Sequence, residues 1–479
     1  MTTKLFEELF TLWKTRELGY QKNKKRKYLH FDRHIQFHKN IQWFKHYFSN
    51  SITNIPRHGF YPFIKSDIIS PRIKHKKDPT TNKKRIFKTQ KVRPIAYASH
   101  FDAFIYSWYA TVLNHHYLEA IRREKIEDCV LAYIEKGGKC NIDFAHEAFD
   151  FIKEGYVALA FDLSSYFDGL DHEILKQKWC KVLQEPKLPK DHYKVFKTLT
   201  EYAFVRKESL DVRFPPLLGK GLYRDRICTP DKFREMVEAE LIEKNEFYNK
   251  ICNSQRFGQR CGIPQGSPIS ACLSNIYLID FDKTIYEEAL SRGAFYRRYC
   301  DDLLLICKEE DWKYFQLLIT TVIREYEVEV NQDKTEVTFF KRLDENVIRG
   351  YDANGKFKSL QYLGFEFNGE NRYIRSSSMS RYYQRMSSKV RQTVEDAYCE
   401  DFGQGNFIFR KKLLKRYTEQ GSKNFISYAY RAGENIINSQ TIINQVKRSS
   451  QKVLKLLEET KKKKERELRN KNSFKKTMR

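Results

Sequence analysis

Phe295-Tyr296-Arg297-Arg298-Tyr299-Cys300-Asp301-Asp302-Leu303-Leu304-Leu305-Ile306 is the stretch that decides how this chain is read. Two arms, 295–298 and 303–306, flank an acidic pair as the strands of a β-hairpin flank their turn. A third acid stands far upstream, where the apolar run Tyr156-Val157-Ala158-Leu159-Ala160-Phe161 ends at Asp162. Three carboxylates mounted on core strands repel one another by about 4 kcal/mol per pair at ~4 Å and an effective dielectric near 20. Holding them together requires a cation between them, and Mg²⁺ is the cation that suits.

Working outward, a helical pattern over 312–325 leads through Asn331-Gln332-Asp333-Lys334 to a strand over 335–340. Upstream, the loop Cys261-Gly262-Ile263-Pro264-Gln265-Gly266-Ser267-Pro268-Ile269-Ser270 feeds an apolar helix over 271–281. Strand, helix, hairpin, helix, strand is the order of a split βαβ sheet. Residues 102–118 carry Phe104, Ile105, Trp108, Tyr109, Val112 and Leu113 at helical spacing with no Pro or Gly, which predicts a buried helix. A second helix over 144–153 precedes the strand that ends at Asp162, and Asp171 opens another with an acidic first turn. Pro186, Pro189, Pro215, Pro216 and Pro230 among mixed charges mark 185–255 as an inserted or peripheral region of short helices. After Tyr362-Leu363-Gly364-Phe365-Glu366-Phe367 the chain turns helical and basic from Ser376. The fold class is α+β.

A chain of 479 residues, 41% hydrophobic and 15% aromatic, buries substantial cores and divides into several units. Its net charge of +27 calls for a polyanion. No apolar stretch is long enough to span a membrane and no apolar leader opens the chain, so nucleic acid is the expected partner and a membrane is not. The ten cysteines form no Cys-x-x-Cys pair, which points away from a zinc site or a secreted disulfide frame and toward a cytoplasmic location. Basic groups alternate with aromatics near the N-terminus, Lys22 to Lys27 being followed by Tyr28, Phe31, Phe37, Trp43 and Phe44. Between Arg72 and Arg93 ten Lys or Arg stand against Asp78 alone, the pattern of a basic hairpin turning at Asp78-Pro79. The tail 461–479 holds ten Lys or Arg and two Glu, a helix fraying into disorder.

Taken singly, an Asp-Asp pair is ordinary turn chemistry, Asp162 is a helix cap and Lys334 is solvated surface. Their joint order is harder to dismiss: three carboxylates, a Gly-rich loop and a basic groove meet the requirements of nucleotidyl transfer. The chain resembles the reverse transcriptases over about residues 85–370. Phe161-Asp162-Leu163 with Tyr166-Phe167 is similar to the family's first catalytic motif. Gly262 to Ser270 is similar to its Pro-Gln-Gly loop, and Tyr299-Cys300-Asp301-Asp302 to its Tyr-x-Asp-Asp hairpin. Asn331 with Lys334-Thr335, then Tyr362-Leu363-Gly364, fit the next two motifs in order.

The resemblance implies a right-hand polymerase: an N-terminal extension over 1–60, fingers over 61–160, a split-βαβ palm over 161–375 interrupted at about 185–255, and a helical thumb-like region over 376–479. It implies that Asp162, Asp301, Asp302 and the Leu163 carbonyl hold two Mg²⁺ ions, for which Mn²⁺ can substitute. Lys91 and Arg93 would take the incoming triphosphate, and Gln265 with Gly266 would meet nucleotide and template. Phe167 would bar a ribose 2′-OH, Lys334 would protonate pyrophosphate, and Leu363 with Gly364 would grip the primer end. Substrates would be dNTPs and an RNA template, and the product DNA.

No Cys/His cluster for an attached nuclease or integrase is present, the Val-Thr-Gly of retron enzymes is missing, and about 100 residues follow the palm. This set resembles the bacterial defence-associated reverse transcriptases of the unknown and abortive-infection groups. That implies anti-phage function, a dedicated non-coding RNA, and priming by a nucleic-acid 3′-OH or a protein hydroxyl, with self-association of the chain left open. The rival readings are an untemplated nucleotidyl transferase or RNA-dependent RNA polymerase on the same palm, and a non-catalytic RNA-binding scaffold.

Overall fold

The computed structural model describes residues 2–22, 28–77, 84–215, 225–238, 240–245, 260–345, 347–399, 407–436 and 439–477. Residues 23–27 of the first basic run, the expected hairpin turn at Asp78-Pro79 and much of 216–259 lie outside them. β1 (Phe63–Lys77) and β2 (Lys84–Tyr97) form the expected long antiparallel hairpin. β3 (Tyr156–Asp162) is the centre of a second sheet, while β4 (Ala203–Arg206) and β5 (Glu243–Lys244) extend the first in the order β2-β1-β4-β5. β6 (Phe295–Tyr299), β7 (Asp302–Lys308), β8 (Glu336–Asp344) and β9 (Val347–Tyr351) complete the second sheet in the order β6-β7-β3-β8-β9. A small third sheet is built from β10 (Leu360–Tyr362), β11 (Phe365–Phe367) and β12 (Arg372–Ile374).

β3 reads as an unbroken apolar run because both of its faces are buried. Val157, Leu159 and Phe161, with Leu303, Leu305 and Cys307 of β7, pack into one core beneath the helices His100–Arg123, Ser270–Tyr277, Ile279–Ser291 and Trp312–Glu325. Ala158, with Leu304 and Ile306, packs into another, against Phe365 and Phe367 and the helices Asn141–Phe151 and Ser376–Ala397. Successive side chains alternate between faces, so Asp162, in phase with Ala158, and Asp302, in phase with Leu304, emerge on the same side of the sheet.

The N-terminal helix Thr3–Lys22 joins the first core, where Phe6, Phe10 and Trp13 meet Trp108 and the Trp13 indole N–H donates to Ser107 Oγ at 3.0 Å. The apolar helix expected over 271–281 is two helices, parted at Leu278 (φ −99°, ψ 16°) with no Gly or Pro to announce it. The expected peripheral region needs a correction over 190–200. The helix Lys190–Thr200 lays Val195, Phe196 and Leu199 in the main core, and Asp191 accepts from the buried Tyr109 hydroxyl at 2.7 Å. Its polar face had disguised an amphipathic core helix. Among the described residues eight cysteines are free thiols. Among the described residues no helix is long and apolar enough to cross a membrane.

Candidate active site

Asp162 closes β3 and Asp302 opens β7, and the antiparallel register places them opposite one another. Asp301 occupies the turn between β6 and β7, and its carbonyl accepts the Leu163 N–H at 3.0 Å. The backbone of Asp162 and Ser164 bonds Asn331 and Glu329, so the bridge between Leu163 and Val330 leaves the Leu163 carbonyl out of its ladder. Sheet pairing thus gathers Asp162, Leu163, Asp301 and Asp302 at one end of β3.

The turn is strained and held from behind. Cys300, its first central residue, has φ +60°, a place that hairpins usually give to glycine. The Arg298 guanidinium, fully buried, donates to the Cys300 carbonyl and the Asn275 amide oxygen at 3.2 Å each, and to Asp282 at 2.6 to 3.0 Å. Asp282 accepts from Tyr296 as well, and burial among these donors does not discharge the pair because the attraction of Asp282 holds the guanidinium protonated. The Arg298 backbone is pinned to Cys129 and Leu131, which brings Tyr133 (φ +64°, half exposed) beside Cys300 and Asp301.

The Gly-rich loop is fastened on two sides. Gly262 and Ile263 donate to the carbonyls of Leu170 and Phe167 at 2.9 and 3.0 Å, so the loop rests on the short helix Tyr166–Gly169 that follows Asp162. Phe167 is half-buried there, its ring 5.8 Å from that of Tyr166. On the other side the Ala96 N–H donates to the Gln265 carbonyl at 2.8 Å. Gly266, at φ +118°, comes so close to β2 that a Cβ would lie 2.8 Å from both the Ala96 oxygen and Ile95 Cγ2. Ile95 therefore points at the loop, and Arg93 and Lys91, two and four residues back along β2, share its face.

A two-residue turn, Leu363-Gly364, joins β10 to β11 with φ +45° and +95°. Asn141 Nδ2 donates to the Leu363 carbonyl at 3.0 Å, and the Arg375 N–H to that of Gly364 at 2.9 Å. A cleft of about 380 Å³ lies beside this turn, lined by Asp302, Tyr299, Leu363, Gly364, Arg375 and Arg381; neither the Gly-rich loop nor Lys91, Arg93 and Phe167 line it. Asn141, Arg375 and Arg381 were not singled out in the sequence; the arginines at 372, 375 and 381, downstream of the Tyr-Leu-Gly turn, were the available signal.

Crowding by the surrounding protein, then repulsion from Asp301 and from Asp162, pushes the Asp302 carboxyl up to about 6, while Arg375 and Lys334 pull it down. All three acids therefore feel one another. Lys334, in the turn Gln332–Lys334, puts its ammonium on Asp162 Oδ1. Among the described residues no three His, Cys, Asp or Glu side chains are drawn close enough together to hold a metal ion, and Lys334 supplies the positive charge that Asp162 meets. The donors nevertheless suit Mg²⁺, because carboxylate and carbonyl oxygens are hard ligands. An arriving ion competes with Lys334 for Asp162.

An acid-lined strand end on this sheet is the arrangement that the sequence motifs lead one to expect of a palm-type nucleotidyltransferase. Residues 224–367 match the family model for reverse transcriptase (RNA-dependent DNA polymerase). The matched stretch is 144 of the 479 residues. Asp162 lies outside the matched stretch and joins it through β3. No curated protein matches the chain. Among solved structures it is similar to apo telomerase from Candida tropicalis, at 14% identity and a TM-score of 0.39, over 88% of this chain and 66% of that one. A form of that telomerase truncated from its C-terminal domain gives 13% and 0.39 over 70% and 60%. Telomerase from Candida albicans with a fragment of telomeric RNA gives 12% and 0.35 over 87% and 61%. The chain spans about three fifths to two thirds of their length.

Proposed function

We propose that the chain copies RNA into DNA at the end of β3, with Asp162, Asp301, Asp302 and the Leu163 carbonyl holding two Mg²⁺ ions. The observation that carries this reading is the facing of Asp162 and Asp302 across β3 and β7, with the acidity of Asp302 weakened by burial and then by both other acids. Bound there, two divalent ions lower the pKa of an attacking hydroxyl and neutralise departing pyrophosphate. The residues of the chain bind and orient. Lys91 and Arg93 draw the triphosphate of a dNTP toward the Gly-rich loop, where Gln265 and Gly266 seat it against the template. Phe167, anchored under that loop, fills the space a ribose 2′-OH needs. Lys334, already beside Asp162, gives a proton to pyrophosphate, and the Leu363-Gly364 turn with Arg375 and Arg381 steadies the primer end.

The physiological setting belongs to the same proposal: antiviral defence in the bacterial cytoplasm with a dedicated non-coding RNA. Its support is the resemblance of the motif set to defence-associated enzymes, together with a net charge of +27 that favours an RNA partner. Primer extension on an RNA template, with dNTPs and NTPs compared and template-free controls, tests the chemistry. The double variant Asp301→Ala/Asp302→Ala should lose Mg²⁺-dependent synthesis while still binding RNA; synthesis that persists in it refutes the assignment. Sequencing the nucleic acid that copurifies from native cells tests the setting, which fails if no discrete RNA is enriched.

A further inference from the structure

Of the aromatics that alternate with basic residues near the N-terminus, Phe31, Phe37 and Phe44 are buried, and Tyr28 lies flat on the His100 ring at 4.9 Å. Trp43 differs: half of its side chain (50%) stands in solvent. One face of its indole is stacked on Tyr47, at 5.1 Å and 19°, and Phe101 meets it at 5.4 Å. The ring walls a cleft of about 580 Å³ whose polar lining is His34, Gln36, Lys39 and Asn40, with no Asp or Glu among the lining residues. The helix Ile41–Ser49 starts at this cleft with no acid in its first turn and no side chain bonded to its first amides. Those N–H donors and the positive end of the helix dipole are therefore left to an anion.

A large ring held rigid from behind and bare in front, beside a lysine and an uncapped helix start, has the parts that grip a nucleotide. The base stacks on the ring, and the phosphate takes the lysine and the amides. We propose that this cleft binds an unpaired nucleotide of a single-stranded nucleic acid, using residues none of which lines the cleft of Asp302. The base lies on Trp43, with Gln36 and Asn40 at its edge, and Lys39 meets the backbone. The site lets the N-terminal helices hold a strand whose paired part is elsewhere. This goes beyond the proposed polymerase function and does not depend on it.

Tryptophan fluorescence of the full chain reads the contact, because Trp13, Trp108 and Trp179 are buried, Trp312 is partly buried and outside this cleft, and the Trp43→Phe variant supplies the background of all four. Twelve-nucleotide oligo(U) RNA and oligo(dT) DNA should quench the native signal and not that of Trp43→Phe; the two arms show which strand is preferred. Trp43→Ala should weaken affinity about 5- to 100-fold, the range for one base–aromatic stack. Lys39→Gln, a change at an exposed side chain, should lower the slope of log affinity against log salt by about 0.7. Equal quenching in wild type and Trp43→Phe, or affinity within twofold in both Trp43→Ala and Lys39→Gln, overturns the proposal. So does an apolar peptide that quenches Trp43 where neither oligonucleotide does, which would assign the cleft to a protein. If Trp43→Ala melts early, Lys39→Gln carries the test alone. Asp301→Asn/Asp302→Asn should retain the quench, so failure of the polymerase reading and failure of this one are told apart.

Discussion

Arg298 and Asp282 are both fully buried and bonded to each other, and the same guanidinium holds the Cys300 carbonyl of the acidic turn. Removing one partner leaves an uncompensated charge in a dry core, which costs about 3–5 kcal/mol. Arg298→Met and Asp282→Leu should each lower the unfolding free energy by that much in urea melts. The double variant removes both charges and fills the space with apolar atoms, so it should recover most of the loss, since such replacements are often neutral or better. Activity should not recover with it. The Cys300 carbonyl loses its donor, the φ +60° residue is free to relax, and Asp301 shifts with it. A displacement of ~1 Å in a reacting group can cost about 100-fold in rate. Primer extension by the double variant should therefore fall by roughly 10- to 100-fold in kcat at near-native stability. Full activity in the double variant would refute the idea that this clamp positions the acids, and single variants as stable as wild type would refute the burial argument beneath it.

The Asp302 carboxyl titrates at about 6 against an ordinary 3.8, so its ionisation opposes folding: the associated stability is complete below pH 4 and is lost as pH rises through 6. In chelator, Asp302→Asn should therefore be more stable than wild type at pH 8 by ~1 kcal/mol, the full shift being reduced because the side chain is exposed, and no more stable at pH 4. A calorimetric difference that did not change with pH would contradict this. Phe167→Ala should admit ribonucleotides in competition assays, and unchanged sugar discrimination would remove Phe167 from that role. Gly266→Ala sets a methyl group against Ala96 and Ile95 at a backbone angle foreign to alanine, costing about 1–3 kcal/mol locally. It should raise the KM for dNTP more than it lowers Tm, and a native KM would show that the loop does not need its seat on β2.

What the sequence made legible were features carried by local pattern. The helix Trp312–Glu325 and the strand that ends at Asp162 stand where apolar spacing predicts them, and Asp171 caps its helix through a bond from Ile174 at 2.9 Å. What stayed hidden depends on contacts between distant elements. Asp282 is a helix residue 16 positions before Arg298, and no periodicity says that the two will meet in a core. The aromatics beside the basic run misled for the opposite reason: their spacing is that of a helix and a loop packing inward, so Phe31, Phe37 and Phe44 became core and the surface kept Trp43. Charge shows the same division. The negative cluster could be inferred because its members end apolar strands, whereas the cations that temper it, Lys334 on Asp162 and Arg375 near Asp302, come from a turn and from the start of a helix in another layer. In the metal-free protein those two cations carry much of the neutralisation. Replacing either with a neutral residue should therefore raise the apparent Asp302 pKa further, and NMR titration of that carboxyl in chelator would expose the error if it moved down instead.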